Sequence, residues 1–391
     1  MAATGAQPPR HGGVLLTRTR IAATGIALLL VAGVGAVQAA PAPAPAATQA
    51  APGAQRVDGG WAVPISTRGP SWYDSAFYNQ VLAAGNRGTP LPAGASLPES
   101  AANGPKRGSG GGSAAPTNSE TAPGVERPPV GLGPGTWLIS IFTTKGGTPT
   151  GFAWCTANFV FRSGTSFGLG TAGHCAPVLS NPVTAFVVPP PDATCPSGPV
   201  CAPGIYPIGK FSVVRNNGVG DDFALVSIDP AYNSWMRPTM PVFGGPTGVY
   251  TGGVASVPSQ TVTAGPATVL APSFTPAVLG HCGHGAVVGA GGTCRTSVGL
   301  FASGTAFAWY GPSFEGDSGS GVVVLGNPAS PLSPVPAAAD LTHIIILDAQ
   351  VTKRGNVTVG PFYSGMIAGT QMTKILSILG SGWSLVPGGL P

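Results

Sequence analysis

Three side chains in this sequence could together turn a weak nucleophile into a strong one: His174 in GTAGHC, Asp222 at the head of DFALVSID, and Ser318 in GDSGS. A serine hydroxyl attacks poorly at neutral pH. It needs a base to take its proton and a third group to hold that base in the right tautomer. The residue types assign His174 as base, Asp222 as orienting carboxylate and Ser318 as nucleophile. Gly316 lets the backbone approach a substrate carbonyl, so that the N–H groups of Gly316 and Ser318 can serve as oxyanion donors to a tetrahedral intermediate. The α/β-hydrolase arrangement needs G-x-S-x-G and the order Ser, acid, His. Here Ser320 stands two residues after the nucleophile and the order is His, Asp, Ser, which disfavours that fold on both counts.

Taken together, TAGHC, DFAL and GDSG resemble the motifs of chymotrypsin/trypsin-fold serine endopeptidases of the bacterial, actinobacterial-type secreted kind, over roughly residues 130–380. The resemblance implies the same roles for His174, Asp222 and Ser318. Asp221 is the competing carboxylate; Asp222 is preferred because the family's acid directly precedes an apolar strand, here Phe223 to Ile228. It also implies an arginine partner for Asp317, the residue before the nucleophile, since no cut-site tetrapeptide is present to supply a new N-terminus. Arg295 is the candidate, with an ordinary solvated side chain as the competing reading. Pro312 stands where a trypsin-like enzyme would place a carboxylate, so a preference for Lys or Arg has no support. Pro312, Thr342 and His343 are the candidate substrate-pocket residues. His343 is expected either to recognise an acidic side chain, as in glutamyl endopeptidases, or to be a hydrogen-bonded core histidine.

The elements that must position these groups read as strands. With 61 glycines, 43 prolines and 8% charged residues in 391, the chain is too poor in helix formers for an α-rich fold. The expected fold is all-β, two antiparallel β-barrels of the chymotrypsin-like double-barrel type. TWLISIFT, FAWCTANFVF, VTAFVV, IGKFSVV and FALVSI would build the first barrel. The run from Val254 through CRTSVGLFA, FAWY, GVVVLG and LTHIIILDAQ would build the second. Ala368 to Leu379, with Met372, Ile375, Leu376 and Ile378 at helical spacing, reads as a short C-terminal helix.

The six cysteines sort by spacing into Cys155 with Cys175, Cys195 with Cys201, and Cys282 with Cys294. The resemblance implies the first pair, a clamp beside His174 that would stabilise the fold by roughly 3 kcal/mol. A zinc set of His281, Cys282, His284 and Cys294 is the alternative. An even cysteine count in an exported chain favours disulfides, and no metal or cofactor is expected.

Export is read from the first residues. Arg10, Arg18 and Arg20 precede an apolar stretch from Ile21 to Val37, and Val37-Gln38-Ala39 offers a cleavage site, so residues 1–39 are expected to be a signal peptide, with an uncleaved anchor as the alternative. Residues 40–127 form an Ala/Pro/Gly-rich pro-segment or linker, largely disordered, with a short helix near 71–85 from SWYDSAFYNQVLAAG and a flexible tether over 101–127. Lys106-Arg107 and Glu126-Arg127 are the expected processing points if the segment is removed. A permanent spacer is the alternative. Residues 128–391 are the expected protease domain.

The net charge of +5 does not point to nucleic acid, because beyond residue 127 nine basic residues face eight acidic ones. The expected function is a secreted, monomeric serine endopeptidase that acts on polypeptides through an acyl-enzyme, without nucleic-acid partners or membrane insertion once the signal is cleaved. The alternatives are a catalytically inactive binding or adhesion module and an esterase-type hydrolase on the same scaffold.

Overall fold

The computed structural model describes residues 53–57, 60–65, 67, 72–93, 130–143, 149–196, 198, 201–252, 256–264, 267–274, 277–283, 293–302, 304–325, 334–347 and 362–390. The expected signal peptide, the tether and both basic processing points lie outside these residues.

Nineteen strands and two α-helices occur among the described residues. In chain order they begin with β1 (Gln55–Val57), β2 (Gly60–Pro64) and helix α1 (Ser75–Ala84). Then come β3 (Trp137–Thr143), β4 (Pro149–Thr156), β5 (Val160–Ser163), β6 (Ser166–Thr171), β7 (Pro182–Val187), β8 (Gly204–Asn216) and β9 (Asp222–Ile228). A separate ribbon pairs β10 (Ser256–Ala264) with β11 (Ala267–Phe274). The chain continues with β12 (Val278–Gly283), β13 (Thr293–Ala302), β14 (Ala306–Phe314), β15 (Gly321–Val324), β16 (Ala337–Asp340), β17 (His343–Leu347) and β18 (Phe362–Thr370). Helix α2 (Met372–Leu379) and β19 (Ser384–Leu385) end it.

Two antiparallel sheets result, in the orders β19-β5-β6-β9-β8-β7-β3-β4 and β1-β2-β17-β18-β14-β13-β12-β15-β16. The all-β, two-sheet architecture is the expected one, but the sheets are open rather than closed barrels. The edge of β5 is taken by β19, and the edge of β17 by β2. Alternating apolar residues give each sheet its own core. Leu138, Leu169, Phe211, Val226 and Trp235 fill the first, and Leu279, Phe307, Trp309, Val322 and Ile367 the second. A third cluster joins Phe159, Phe161, Phe223 and Leu225 of the first sheet region to Val323, Met372 and Ile375 of the second and α2. Burying a side chain of this size stabilises by about 1.5–3 kcal/mol, so this apolar seam holds the two sheets in one relative position.

Three local expectations need correction. FAWCTANFVF is two strands, because the Ala157 N–H turns to the Thr136 carbonyl (2.8 Å) and the Asn158 N–H to Gly170 (2.8 Å). The C-terminal helix starts at Met372 and not Ala368. Ala368 and Thr370 are the partners of Ala308 and Ala306 in the β18–β14 pairing, and strand hydrogen bonds leave no room for helical ones. The N-terminal segment also contributes more than a helix: β1 and β2 extend the second sheet. Helix α1 is capped by Asp74, whose Oδ1 accepts the Phe77 N–H at 2.8 Å. Its Phe77, Tyr78 and Val81 pack with Trp137, Ile139, Trp154, Phe186 and Ile205 of the first sheet.

Candidate active site

The three residues with the right chemistry come from three places and meet where the sheets face each other. His174 sits in a single 3-10 turn after β6, tied to β4 by the Cys155–Cys175 disulfide. Asp222 is the first residue of β9, and Ser318 lies on the turn between β14 and β15. His174 Nδ1 is 2.7 Å from Asp222 Oδ2, and His174 Nε2 is 2.8 Å from Ser318 Oγ. The His174 backbone N–H also donates to Asp222 Oδ1 at 2.9 Å, so both carboxylate oxygens hold the histidine.

Asp222 is fully buried. Burial alone would raise its pKa, but the charge and hydrogen bonds of His174, with His343 behind, outweigh it and hold the carboxyl below its ordinary value. Its backbone is gripped from the other sheet. Thr370 Oγ1 accepts the Asp222 N–H at 3.1 Å and donates to the Asp222 carbonyl at 2.9 Å. Asp221 points the other way. It accepts from Asn217 Nδ2 at 2.7 Å and lies 3.7 Å from Arg215 and 3.6 Å from Lys374. Strand alternation separates the two carboxylates: neighbouring residues at the head of β9 face opposite sides.

The turn carrying Ser318 is held on several sides. Thr156 donates its N–H to the Ser318 carbonyl at 2.7 Å and its hydroxyl to the Gly316 carbonyl at 2.9 Å. Gly319 donates to Leu341 at 2.7 Å. Gly316 and Gly319 have φ of 94° and 89°, the left-handed region that side chains resist. A Cβ on Gly319 would also stand 2.1 Å from Thr171 Oγ1. The N–H groups of Gly316 and Ser318 have no hydrogen-bond partner among the described residues, which leaves both free for a developing oxyanion. Arg295 Nη1 donates to Asp317 Oδ2 at 2.6 Å, the two side chains being 8% and 0% exposed, so the solvated reading of Arg295 does not hold.

The other cysteines form the Cys195–Cys201 and Cys282–Cys294 bridges. The second takes both thiols out of the zinc set. His284 lies outside the described residues. His281 is fully buried, with a pKa pushed down to about 3, first by burial and then by the Arg295 charge.

Of the pocket candidates, Thr342 presents its carbonyl to the Ile65 N–H at 3.1 Å. Pro312 lies on β14 opposite Ser364. His343 faces inward. Its Nδ1 lies 2.8 Å from Thr342 Oγ1 and 3.7 Å from Asp222, and burial lowers its pKa to about 4 despite that carboxylate. A neutral imidazole so engaged is the hydrogen-bonded core histidine and carries no positive charge to attract an acidic side chain.

Three residues near the triad escaped the motif reading. Thr370 looks like any strand threonine in sequence. Asp340 ends β16. Ile65, whose carbonyl oxygen lies 3.2 Å from Ser318 Oγ, sits in a segment read as pro-region or linker. Asp340 is fully buried, and its carboxyl is pushed well above the ordinary value by burial first and by the Asp222 charge second, although Thr370 N–H donates to it at 2.7 Å. Folding therefore disfavours the charged form of Asp340, while the unfolded chain ionises it above pH 3.8. With the folded pKa raised, stability is lost as pH rises above that point. Asp340→Asn, which needs no proton, is expected to raise the thermal midpoint at pH 7 and to change it little at pH 3.5. Equal shifts at both pH values in thermal melts would show that folding does not raise the Asp340 pKa.

No family model and no curated protein matches this chain. Similar solved structures include Thermobifida fusca Protease A, 16% identical with a TM-score of 0.34, covering 66% of this chain and 100% of that one. They also include the Nocardiopsis protease NAPase, 14% identical with a TM-score of 0.30, over 65% and 97% of the two chains. A glutamic acid-specific serine protease that uses a histidine triad in substrate binding is 14% identical with a TM-score of 0.33, over 65% and 100%. All three are proteases. Likeness at this level adds no weight to the reading of the site, which stands on the distances above.

Proposed function

We propose that this chain is a secreted serine endopeptidase that hydrolyses peptide bonds through an acyl-enzyme on Ser318. The observation that carries the reading is the continuous line Asp222 Oδ2, His174, Ser318 Oγ, with contacts of 2.7 and 2.8 Å. Asp222 holds the Nδ1 proton in place, which leaves Nε2 as the base facing the hydroxyl. As Ser318 Oγ attacks a peptide carbonyl carbon, His174 takes its proton and the carbonyl oxygen becomes negative between the N–H groups of Gly316 and Ser318. The C–N bond then breaks, and His174 passes the proton to the leaving amine. Water, activated by the same histidine, releases the acyl group.

Polypeptide is favoured over simple esters as substrate because β17 takes an extended chain, β2, alongside the nucleophile. Main-chain pairing of this kind recognises a peptide backbone whatever its sequence. Three disulfides in the described residues support a site of action in an oxidising compartment outside the cell. His343, buried and neutral, gives no support to a preference for acidic side chains.

A fluorophosphonate probe and a casein digest test the proposal, with the Ser318→Ala protein beside the wild type. The expected result is labelling and digestion by the wild type and neither by the variant. Labelling without digestion would favour the esterase reading. An inert wild type would leave the inactive binding module.

A further inference from the structure

We infer that His343 is a positioning residue for the triad: a second imidazole whose Nδ1–H faces Asp222 Oδ2 and shares that carboxylate with His174. The inference rests on the Ser-His-Asp line of the endopeptidase reading above and adds to it the group that sets how readily His174 takes a proton.

Strand pairing brings His343 to the acid. It opens β17, with Ala368 of β18 on one side and Pro64 of β2 on the other. Its Nδ1 lies 3.7 Å from Asp222 Oδ2, the same oxygen that His174 Nδ1 meets at 2.7 Å. The two imidazole rings stand 6.0 Å apart, centre to centre, with their planes inclined by 70°. Both His343 and Asp222 are buried, so protein groups and not bulk solvent set the field between them.

The hydrogen bonds of Thr342 assign the proton. Its hydroxyl donates to the Ala368 carbonyl at 3.3 Å, which leaves its oxygen to accept from His343 Nδ1 at 2.8 Å. A lone pair on Nδ1 would instead face the negative Asp222 carboxylate, a repulsion that a buried site does not screen. Nδ1 therefore carries the hydrogen, and the positive end of the N–H dipole lies near Asp222 Oδ2.

At 3.7 Å this contact is too long for a hydrogen bond and acts through charge. His174 meets the same carboxylate from its 3-10 turn. Asp340, at the end of β16, has its carboxyl pushed up first by burial and then by the Asp222 charge. Asp221, Arg215 and Lys374 pair with one another on the other face of β9. From β2 and β18 come Pro64 and Ala368, which carry no charge.

A proton taken up by the pair rests on His174 and is held there by the negative charge of Asp222. A dipole that draws on this charge weakens the hold, so His174 stays a free base to lower pH. A cationic His343 would do so more strongly, but it would also oppose the imidazolium that forms on His174 during attack. Burial, the first cause of the lowered His343 pKa of about 4, keeps the ring neutral and limits the effect to the dipole.

Nitrogen chemical shifts of the full chain, read by NMR, report which ring nitrogen of His343 carries the hydrogen. Nδ1–H is expected, and hydrogen on Nε2 alone overturns the inference. His343→Phe keeps an aromatic ring and removes the N–H, while His343→Asn keeps a donor near the Nδ1 position. Fluorophosphonate labelling is then followed across pH for both variants beside the wild type. The acid limb should move up by about half a pH unit in His343→Phe, so that labelling falls about threefold more below about pH 6 than above about pH 8, and should return toward the wild type in His343→Asn. An equal loss at every pH, with the limb unmoved, would leave His343 a packing residue and overturn the inference. Titration of the His174 ring by NMR in the Ser318→Ala background asks the same question without turnover. A His174 midpoint that rises in His343→Phe, beside a wild type that neither labels nor digests casein, sinks the endopeptidase reading and leaves this one standing. An unmoved midpoint in a chain that digests casein does the reverse.

Discussion

Asp222→Asn is expected to lower kcat/KM on a peptide substrate roughly ten-thousandfold while leaving the fold intact, a loss typical of a triad deprived of its orienting carboxylate. The asparagine keeps the shape of the side chain but can turn its NH2 toward His174. That reverses the tautomer and points a ring N–H, not a lone pair, at Ser318. Asp221→Asn is the control that gives the comparison its meaning. Its carboxylate faces Arg215, Lys374 and Asn217 near the surface, where ion pairs contribute about 0–1 kcal/mol, so kcat/KM should change by no more than a few fold. The two variants differ by one position in sequence and by the whole width of a strand in space. Comparable losses in both, measured on the same substrate, would mean that the contact between Asp222 and His174 does not orient the base.

The second large effect is expected at Arg295. Its guanidinium donates to Asp317 and stands over the Phe314 ring, 4.2 Å from the ring centre. Asp317 Oδ2 also accepts the Phe314 N–H at 2.8 Å, so this one carboxylate ties the start of the nucleophile turn to the residue beside the serine. The carboxylate fits there because position 283 has no side chain: a Cβ on Gly283 would stand 2.1 Å from Asp317 Oδ1. Arg295→Met removes one partner and leaves a buried negative charge uncompensated. Such a loss costs about 3–5 kcal/mol. The fluorophosphonate labelling rate should fall with it, since the turn that presents Gly316 and Ser318 loses its tie. Adding Asp317→Asn to Arg295→Met removes the stranded charge and should recover most of the stability in urea unfolding. No recovery in the double variant would place the effect in lost packing against Phe314 instead of in charge.

Some of this was legible residue by residue. Nucleophile, base and acid each lie in a short contiguous motif whose chemistry is local, and the choice of Asp222 over Asp221 follows from the family resemblance, in which the acid directly precedes an apolar strand such as the one that begins at Phe223. The cysteine pairs follow from spacing. The helix over Ser75–Ala84 follows from its aromatic face. Element ends were less legible: Ala368 to Thr370 carry small and β-branched side chains that suit a strand or a helix end alike, and only their pairing with β14 decides.

What the sequence by itself determined is therefore which side chains could do the chemistry, and in which order they stand. Tertiary structure decided what surrounds them. That Arg295 would meet Asp317 across a glycine, that Thr370 would grip Asp222 from the opposite sheet, and that His343 would turn inward all depend on the register of strands far apart in the chain. The decisive case is Ile65. Nothing in GWAVPI announces a neighbour of the nucleophile, because a strand held through its backbone leaves almost no trace in its side chains, and only its pairing with β17 brings the Ile65 carbonyl oxygen to 3.2 Å from Ser318 Oγ.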